Sequence, residues 1–340
     1  MSEPFPLGMI LGGSETDIHA ARSRFLRQPV DQEWPPSPDP DPAWNRVATL
    51  GREVSVTGPG TYYGRAQRTL IFTPSSEPGW WIERTDLPEA LPIQVSVRNV
   101  WTSQRNIVLR SGSPHNYLRM VEHIVALRLG MGIDNLIVKT DSGDPPLFDR
   151  SSMDLVEAFE RAGRVTTEAD APFVTVTRPV TLGGSRGDFL TLLPAKPGDT
   201  TLHLDVAIDF PTIIGQQRIR FDVTPDSFRH GAAARTNATF GTMLFTKTVG
   251  QLLAETRNLG YTRRNILIHS KQKYLNEPGL LHNGQSLEAA WHRATLDLLA
   301  AIALVDTGRF VGTAISYRAG HTLDVRMMTL LYKHGLLASP

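Results

Sequence analysis

The chain has no cysteine in 340 residues, which removes disulfide staples and every thiolate metal site. Any bound metal must therefore sit among His, Asp and Glu. Long apolar runs are also missing: the longest, residues 298–305, falls far short of the roughly 20 residues a spanning helix needs. Residues 1–10 lack the basic start of a signal peptide, so a soluble, cytoplasmic protein without a transmembrane segment is expected. Charge of one sign does not dominate either. The 35 Lys and Arg against 34 Asp and Glu leave a net charge of +1, dispersed along the chain, with no basic stripe suited to nucleic acid. What is present, 41% hydrophobic and 20% charged residues over a length sufficient for two ordinary domains, is the composition of a globular protein able to bury its own cores.

Proline is concentrated in residues 29–42, where it removes amide donors and fixes φ, so this stretch reads as a stiff, extended linker. Before it, residues 16–26 have the pattern of a short amphipathic helix. Residues 1–48 thus read as an N-terminal extension, and the fold is expected to tolerate deletion of residues 1–45. Period-two patterning then predicts strands at residues 53–57, 68–73, 93–101, 106–110 and 136–140. A helix is predicted over residues 118–129, closed by left-handed Gly130 and Gly132. A second is predicted over 151–162, with Ser151 and Asp154 as a capping pair. The second half predicts strands at 173–182, 189–194, 202–210, 218–223, 265–269 and 310–318, and helices at 241–257, 287–305 and 322–334. Strands and helices mix without βαβ regularity, which favours α+β over a doubly wound sheet. The boundary falls near residues 165–171, giving a first α+β domain at 49–167 and a second at 168–340.

The most informative segment is Val121-Glu122-His123-Ile124. It places a carboxylate beside an imidazole on the first turn of a buried helix. A neutral His can hold zinc while the adjoining Glu, free of the metal, takes a proton from a bound water. With Gly130-Met131-Gly132-Ile133-Asp134-Asn135-Leu136 downstream, this segment resembles the signature of the UDP-3-O-acyl-N-acetylglucosamine deacetylases, the zinc amidohydrolases of lipid A biosynthesis. Other stretches agree in order and spacing: residues 58–64 with a glycine-rich turn, residues 84–87, and Pro145-Pro146-Leu147-Phe148-Asp149 followed by Ser151 and Ser152. Residues 210–217, Ala234-Arg235-Thr236, Asn276-Glu277 with Gly279-Leu280, Leu296-Asp297 and Gly320-His321-Thr322-Leu323 continue the series, so the likeness covers about residues 50 to 337.

The resemblance implies two similar domains, each a sheet backed by helices, with the helices packed between the two sheets. It implies His123 and Asp297 as zinc ligands and Glu122 as general base. It also implies His321 as the group that stabilises the oxyanion and protonates the leaving amine, and Thr236 as an oxyanion donor. The substrate or ligand it implies is a UDP-linked acylated amino sugar.

Three departures fall on one helix. The family carries its paired ligands as His-x-x-x-Asp, but four residues before Asp297 stands Arg293, and His292 lies five before. The next family position, a lysine, is matched by Ala294, and an aspartate that orients the catalytic His is matched by Ala301. A fourth departure puts Tyr62 where the glycine-rich turn has a histidine. A fixed positive charge about 4 Å from a divalent ion at an effective dielectric of 20 costs roughly 8 kcal/mol, so Arg293 must not point at a metal. Residues five apart on an ideal helix lie about 140° apart, so His292 becomes the third ligand only through a one-residue π-bulge. Since π-bulges are rare, a regular helix is expected, with Arg293 paired to Asp297. Two readings stand: a zinc-dependent deacetylase, and a catalytically impaired paralogue that binds or regulates because its metal motif is broken.

Overall fold

The structure, a computed structural model, describes residues 4–36, 41–61, 66–239, 241, 244 and 261–340. Its helices are α1 (Glu15–Arg27), α2 (Glu122–Gly130), α3 (Met153–Ala162), α4 (Pro225–Ala232), α5 (Glu288–His292), α6 (Leu299–Ile302) and α7 (His321–Lys333), with a π-turn, Arg293–Leu298, joining α5 to α6. None is long and apolar enough to cross a membrane. The expected helix at 241–257, and Tyr62, fall outside the described residues except for 241 and 244.

The first half is a five-stranded sheet in the order Val54–Pro59, Gln67–Pro74, Leu136–Thr140, Trp80–Arg84 and Ile93–Gln94. Its strands alternate because one face is covered: Leu70, Phe72, Leu136 and Val138 point into the core while their neighbours do not. Phe159 of α3 packs on that face, its ring 4.9 Å from Phe72 and 6.1 Å from Trp80. Trp80–Arg84 was not expected from the periodicity. The strand expected at 93–101 is instead two short strands separated by a 3-10 turn at Val97–Asn99.

Helix α2 has eight of its nine residues buried, which fits a helix lying between two halves of a molecule rather than on a surface. It packs on α4, the π-turn and α6. Gly130 does not end it by a left-handed turn. It lies inside the helix, where the ring of Phe228 leaves no room for a Cβ, and Gly132, at φ +61°, makes the turn beyond it. From the same helix the buried Arg128 donates to the carbonyls of Ala303, Val305 and Gly308, so it caps the end of α6 in the opposite half. The expected Ser151–Asp154 capping pair does not form. Ser151, at φ +58°, turns its hydroxyl to Ala234 O at 2.6 Å, and Ser152 precedes α3 without a side-chain cap.

The second half is a seven-stranded sheet in the order Met9–Gly12, Val180–Gly183, Phe189–Leu193, Gly312–Tyr317, Leu202–Phe210, Gly215–Asp222 and Gln32–Glu33. Both faces are covered, so Leu202–Phe210 is buried almost continuously instead of alternating. Helices of each half therefore stack between the two sheets, the α+β arrangement expected from the sequence.

The two outermost strands of this sheet come from the N-terminal extension, which corrects the view of residues 1–48 as a detachable appendage. Met9–Gly12 and Gln32–Glu33 pair in parallel with Val180–Gly183 and Gly215–Asp222. Between them α1 lays Ala21 and Phe25 against Phe189, Ala207, Ile315 and Tyr317, a second core on the sheet face away from α5. Arg218 anchors it from below. Its buried guanidinium is bidentate to Asp205, stacks 3.9 Å from the Phe25 ring centre, and donates to the carbonyls of Phe25 and Gln28. The start of the proline-rich stretch, residues 31–34, is thus tied to the sheet.

His203, on strand Leu202–Phe210, sits between Asp222 at 2.6 Å and Asp199 at 2.8 Å. The Asp222 hydrogen bond chiefly, against partial burial, raises its pKa from 6.5 to about 9. A raised histidine pKa adds stability below 6.5 that is lost as pH rises through 9. The thermal midpoint should therefore fall over that window, and His203→Gln should flatten the fall. Parallel pH profiles for the two proteins would refute it.

Candidate functional site

Glu122 and His123 open α2 one residue beyond the Met120–Val121 junction, and Met120 has a φ of +50°, an uncommon left-handed conformation for a non-glycine residue. That turn sends Glu122 inward. Its Oε1 accepts from the Ile107 amide and lies 3.8 Å from His321 Nε2. Burial, first of all, raises the Glu122 pKa. His123 is pushed down to about 3, by burial first and by the neighbouring His292 second, so its ring is neutral and keeps a lone pair. Its Nδ1 lies 3.0 Å from Ser152 Oγ, a partner that sequence reasoning had not assigned.

Opposite stands the segment on which the sequence readings divided. The expected regular helix is not what forms. Residues Arg293–Leu298 make a π-turn, and the extra residue it absorbs brings His292 round to Asp297, with His292 Nδ1 3.5 Å from Asp297 Oδ1. A tight contact behind it explains why the turn is seated here: Gly231 of α4 meets the Thr295 side chain, and a Cβ at that position would overlap Oγ1. Arg293 swings off this face altogether. Its Nε donates to Ala319 O at 2.8 Å, and Nη2 donates to Asp324 Oδ1 at 2.7 Å and Ser316 Oγ at 3.2 Å. The expected Arg293–Asp297 pair is therefore replaced by a buried Arg293–Asp324 pair between the π-turn and α7. Replacing Arg293 by Leu should cost about 3–5 kcal/mol by stranding Asp324, and the double change Arg293→Leu with Asp324→Leu should recover most of it. Denaturant unfolding reads this, and an equal loss in single and double variants would refute it.

His321 begins α7, and its Nε2 is 3.5 Å from Asp297 Oδ1. Burial alone would lower its pKa, but Asp297 and then Glu122 outweigh it and raise it. Conversely, burial would raise Asp297, and the charges of His321 and His292 hold it low. The site thus carries a buried ionised carboxylate between two imidazoles. Among the described residues, buried His321 Nδ1 has no hydrogen-bond partner, nor do Arg293 Nη1 and Asp324 Oδ2. Ala301, buried in α6, carries only a methyl group and has no hydrogen-bonding side chain.

Thr236 does not stand free as an oxyanion donor. Its hydroxyl shares a 2.8 Å hydrogen bond with His292 Nε2, so it orients that ring. The preceding Arg235 is held by Glu288 of α5 at 2.6 Å, which fixes the strand Thr236–Thr239 to the same helix. Tyr261, to which no motif pointed, lies within electrostatic reach of Glu122 and Asp297. Its phenol is raised by burial first and then by the charge of Glu122, with Asp297 adding to it. No spacing signal reaches it, because its segment approaches the site only through the fold.

The structure therefore gathers Glu122, His292, Asp297, His321 and Thr236, with the His123 ring 5.6 Å from that of His292. Two imidazoles and a carboxylate are the donors zinc takes, and His123 and Asp297 are in the protonation states that a ligand needs. Among the described residues, however, no group of three or more His, Asp or Glu side chains is set at metal-holding spacing.

Residues 47–333 match the sequence profile of the family LpxC: UDP-3-O-acyl N-acetylglycosamine deacetylase. The UDP-3-O-acyl-N-acetylglucosamine deacetylases of Brucella ovis and Brucella suis are 29% identical to it over 280 residues, covering 81% of this chain and 91% of theirs. That of Brucella melitensis biotype 2 has the same identity and coverage. The matched segment spans the five-stranded sheet, the five inner strands of the seven-stranded sheet and every side chain gathered at the site, and the chain belongs to the UDP-3-O-acyl-N-acetylglycosamine deacetylase family.

Proposed function

We propose that this chain is a zinc-dependent deacetylase that removes the N-acetyl group of UDP-3-O-acyl-N-acetylglucosamine or a related acetamido sugar in lipid A biosynthesis, acting in the cytoplasm. The observation that carries the reading is the π-turn, which turns His292 to Asp297 and takes the Arg293 charge away to Asp324. His123, His292 and Asp297 would hold the ion. When bound there, zinc supplies polarisation of the acetyl carbonyl and a lowered pKa for a bound water. Glu122, buried and raised in pKa, receives the proton of the attacking water. His321, held as a cation by Asp297 and Glu122, stabilises the oxyanion and passes its proton to the leaving amine. Thr236 keeps the His292 ring in register.

The test is acetate release from UDP-3-O-acyl-N-acetylglucosamine by the purified protein, together with its zinc content. Dialysis against a chelator should abolish release and added zinc should restore it, and His292→Ala should lose the metal. A second reading, an impaired paralogue that binds the UDP sugar without hydrolysing it, draws on His321 Nδ1, which has no hydrogen-bond partner among the described residues, and on Ala301 standing where the family carries an aspartate. Retained UDP-sugar binding with neither zinc nor acetate release would establish it.

A further inference from the structure

Trp291, the residue before His292, is fully buried, and its indole N–H donates to Gln32 Oε1 at 2.9 Å. Gln32 belongs to the N-terminal edge strand, in register with Ile219. Two residues on, Trp34 donates its amide to Arg220 O at 2.8 Å and lays its ring edge-on to Trp291 at 5.7 Å. His230 of α4 closes the cluster, 4.4 Å from Trp34 and 4.7 Å from Trp291. Of these braces, Gln32 and Trp34 precede the 47–333 segment shared with the family.

A π-turn has poorer hydrogen-bond geometry than an α-helix, so packing at its ends decides whether it forms and where. Downstream, the Gly231–Thr295 contact seats it. Upstream, the last side chain before His292 is Trp291, and successive residues are separated by about 100° around the axis. The rotation of Trp291 therefore sets the direction of His292. We infer that Gln32 and Trp34 of the N-terminal segment are positioning residues for His292, acting through Trp291 to hold the π-turn in the register that brings His292 to Asp297. The functional part of this inference rests on His292 being a zinc ligand of the deacetylase.

The test compares Gln32→Leu, which removes the acceptor, with Gln32→Glu, which keeps one. Gln32→Leu should weaken zinc affinity in chelator competition by about tenfold, the lower end of what outer-layer partners of metal ligands contribute. It should lower kcat by a similar factor while KM moves less than about twofold. Gln32→Glu should regain most of both. In metal-free protein, the imidazole resonances of His292, identified by their loss in His292→Gln, should shift in Gln32→Leu and return in Gln32→Glu. Unmoved His292 resonances, or a Gln32→Glu as impaired as Gln32→Leu, would overturn the inference. Wild-type protein that neither binds zinc nor releases acetate while those resonances still respond would sink the deacetylase reading alone.

Discussion

Replacing Glu122 by Gln is expected to lower kcat for acetate release by about a thousandfold while zinc stays bound. The carboxylate lies in the interior, anchored by the Ile107 amide and 3.8 Å from His321 Nε2. Positioned general bases contribute about 10²–10⁴-fold, and burial raises the Glu122 pKa toward the range where a base works best at neutral pH. Gln keeps the size of the side chain and an acceptor oxygen for the Ile107 amide but not the basicity. Substrate KM should consequently change little. Metal analysis run beside the kinetics decides between roles: parallel loss of zinc and activity would make Glu122 a ligand and dismantle the assignment of His123, His292 and Asp297.

Deletion of residues 1–36 should leave a chain that does not unfold cooperatively. The deletion uncovers Phe189, Ala207, Ile315 and Tyr317, strips both outer strands from the seven-stranded sheet and removes the buried Ile18 and Phe25 together with Phe5. At roughly 1.5–3 kcal/mol for each of three large apolar side chains, the loss is about 5–9 kcal/mol, comparable with the whole stability of a domain. Arg218 would lose the Phe25 ring and the two carbonyls it serves, leaving only its pair with Asp205. Newly bare strand edges would also invite pairing between chains. Soluble truncated protein with a sharp thermal transition near that of the full chain would contradict this.

The motif string from Val121 to Leu323 was legible because the family's chemistry is written in short local patterns, and Glu122, His123 and His321 each stand at the start of a helix. Glu122 and His321 meet although nearly 200 residues separate them. The path of Arg293 was not legible. Its partner Asp324 lies on another helix, and no local spacing links a residue before Asp297 to one after His321. Ser152 and Tyr261 were missed for the same reason: their roles depend on what the fold places opposite them.

By itself the sequence determined the α+β class and the family, since composition, periodicity and spaced motifs are properties of the chain alone. Only the tertiary structure decided two matters. One is whether the residues before Asp297 wind as an α-helix or a π-turn, a choice of small energy that local propensity cannot make and that Gly231, Trp291 and the buried Arg293–Asp324 pair settle by packing. The other is whether the N-terminal segment is a tether or part of the fold. A proline-rich stretch looks like a linker from its backbone chemistry, but the open edges and bare face of a distant sheet are what make it structural.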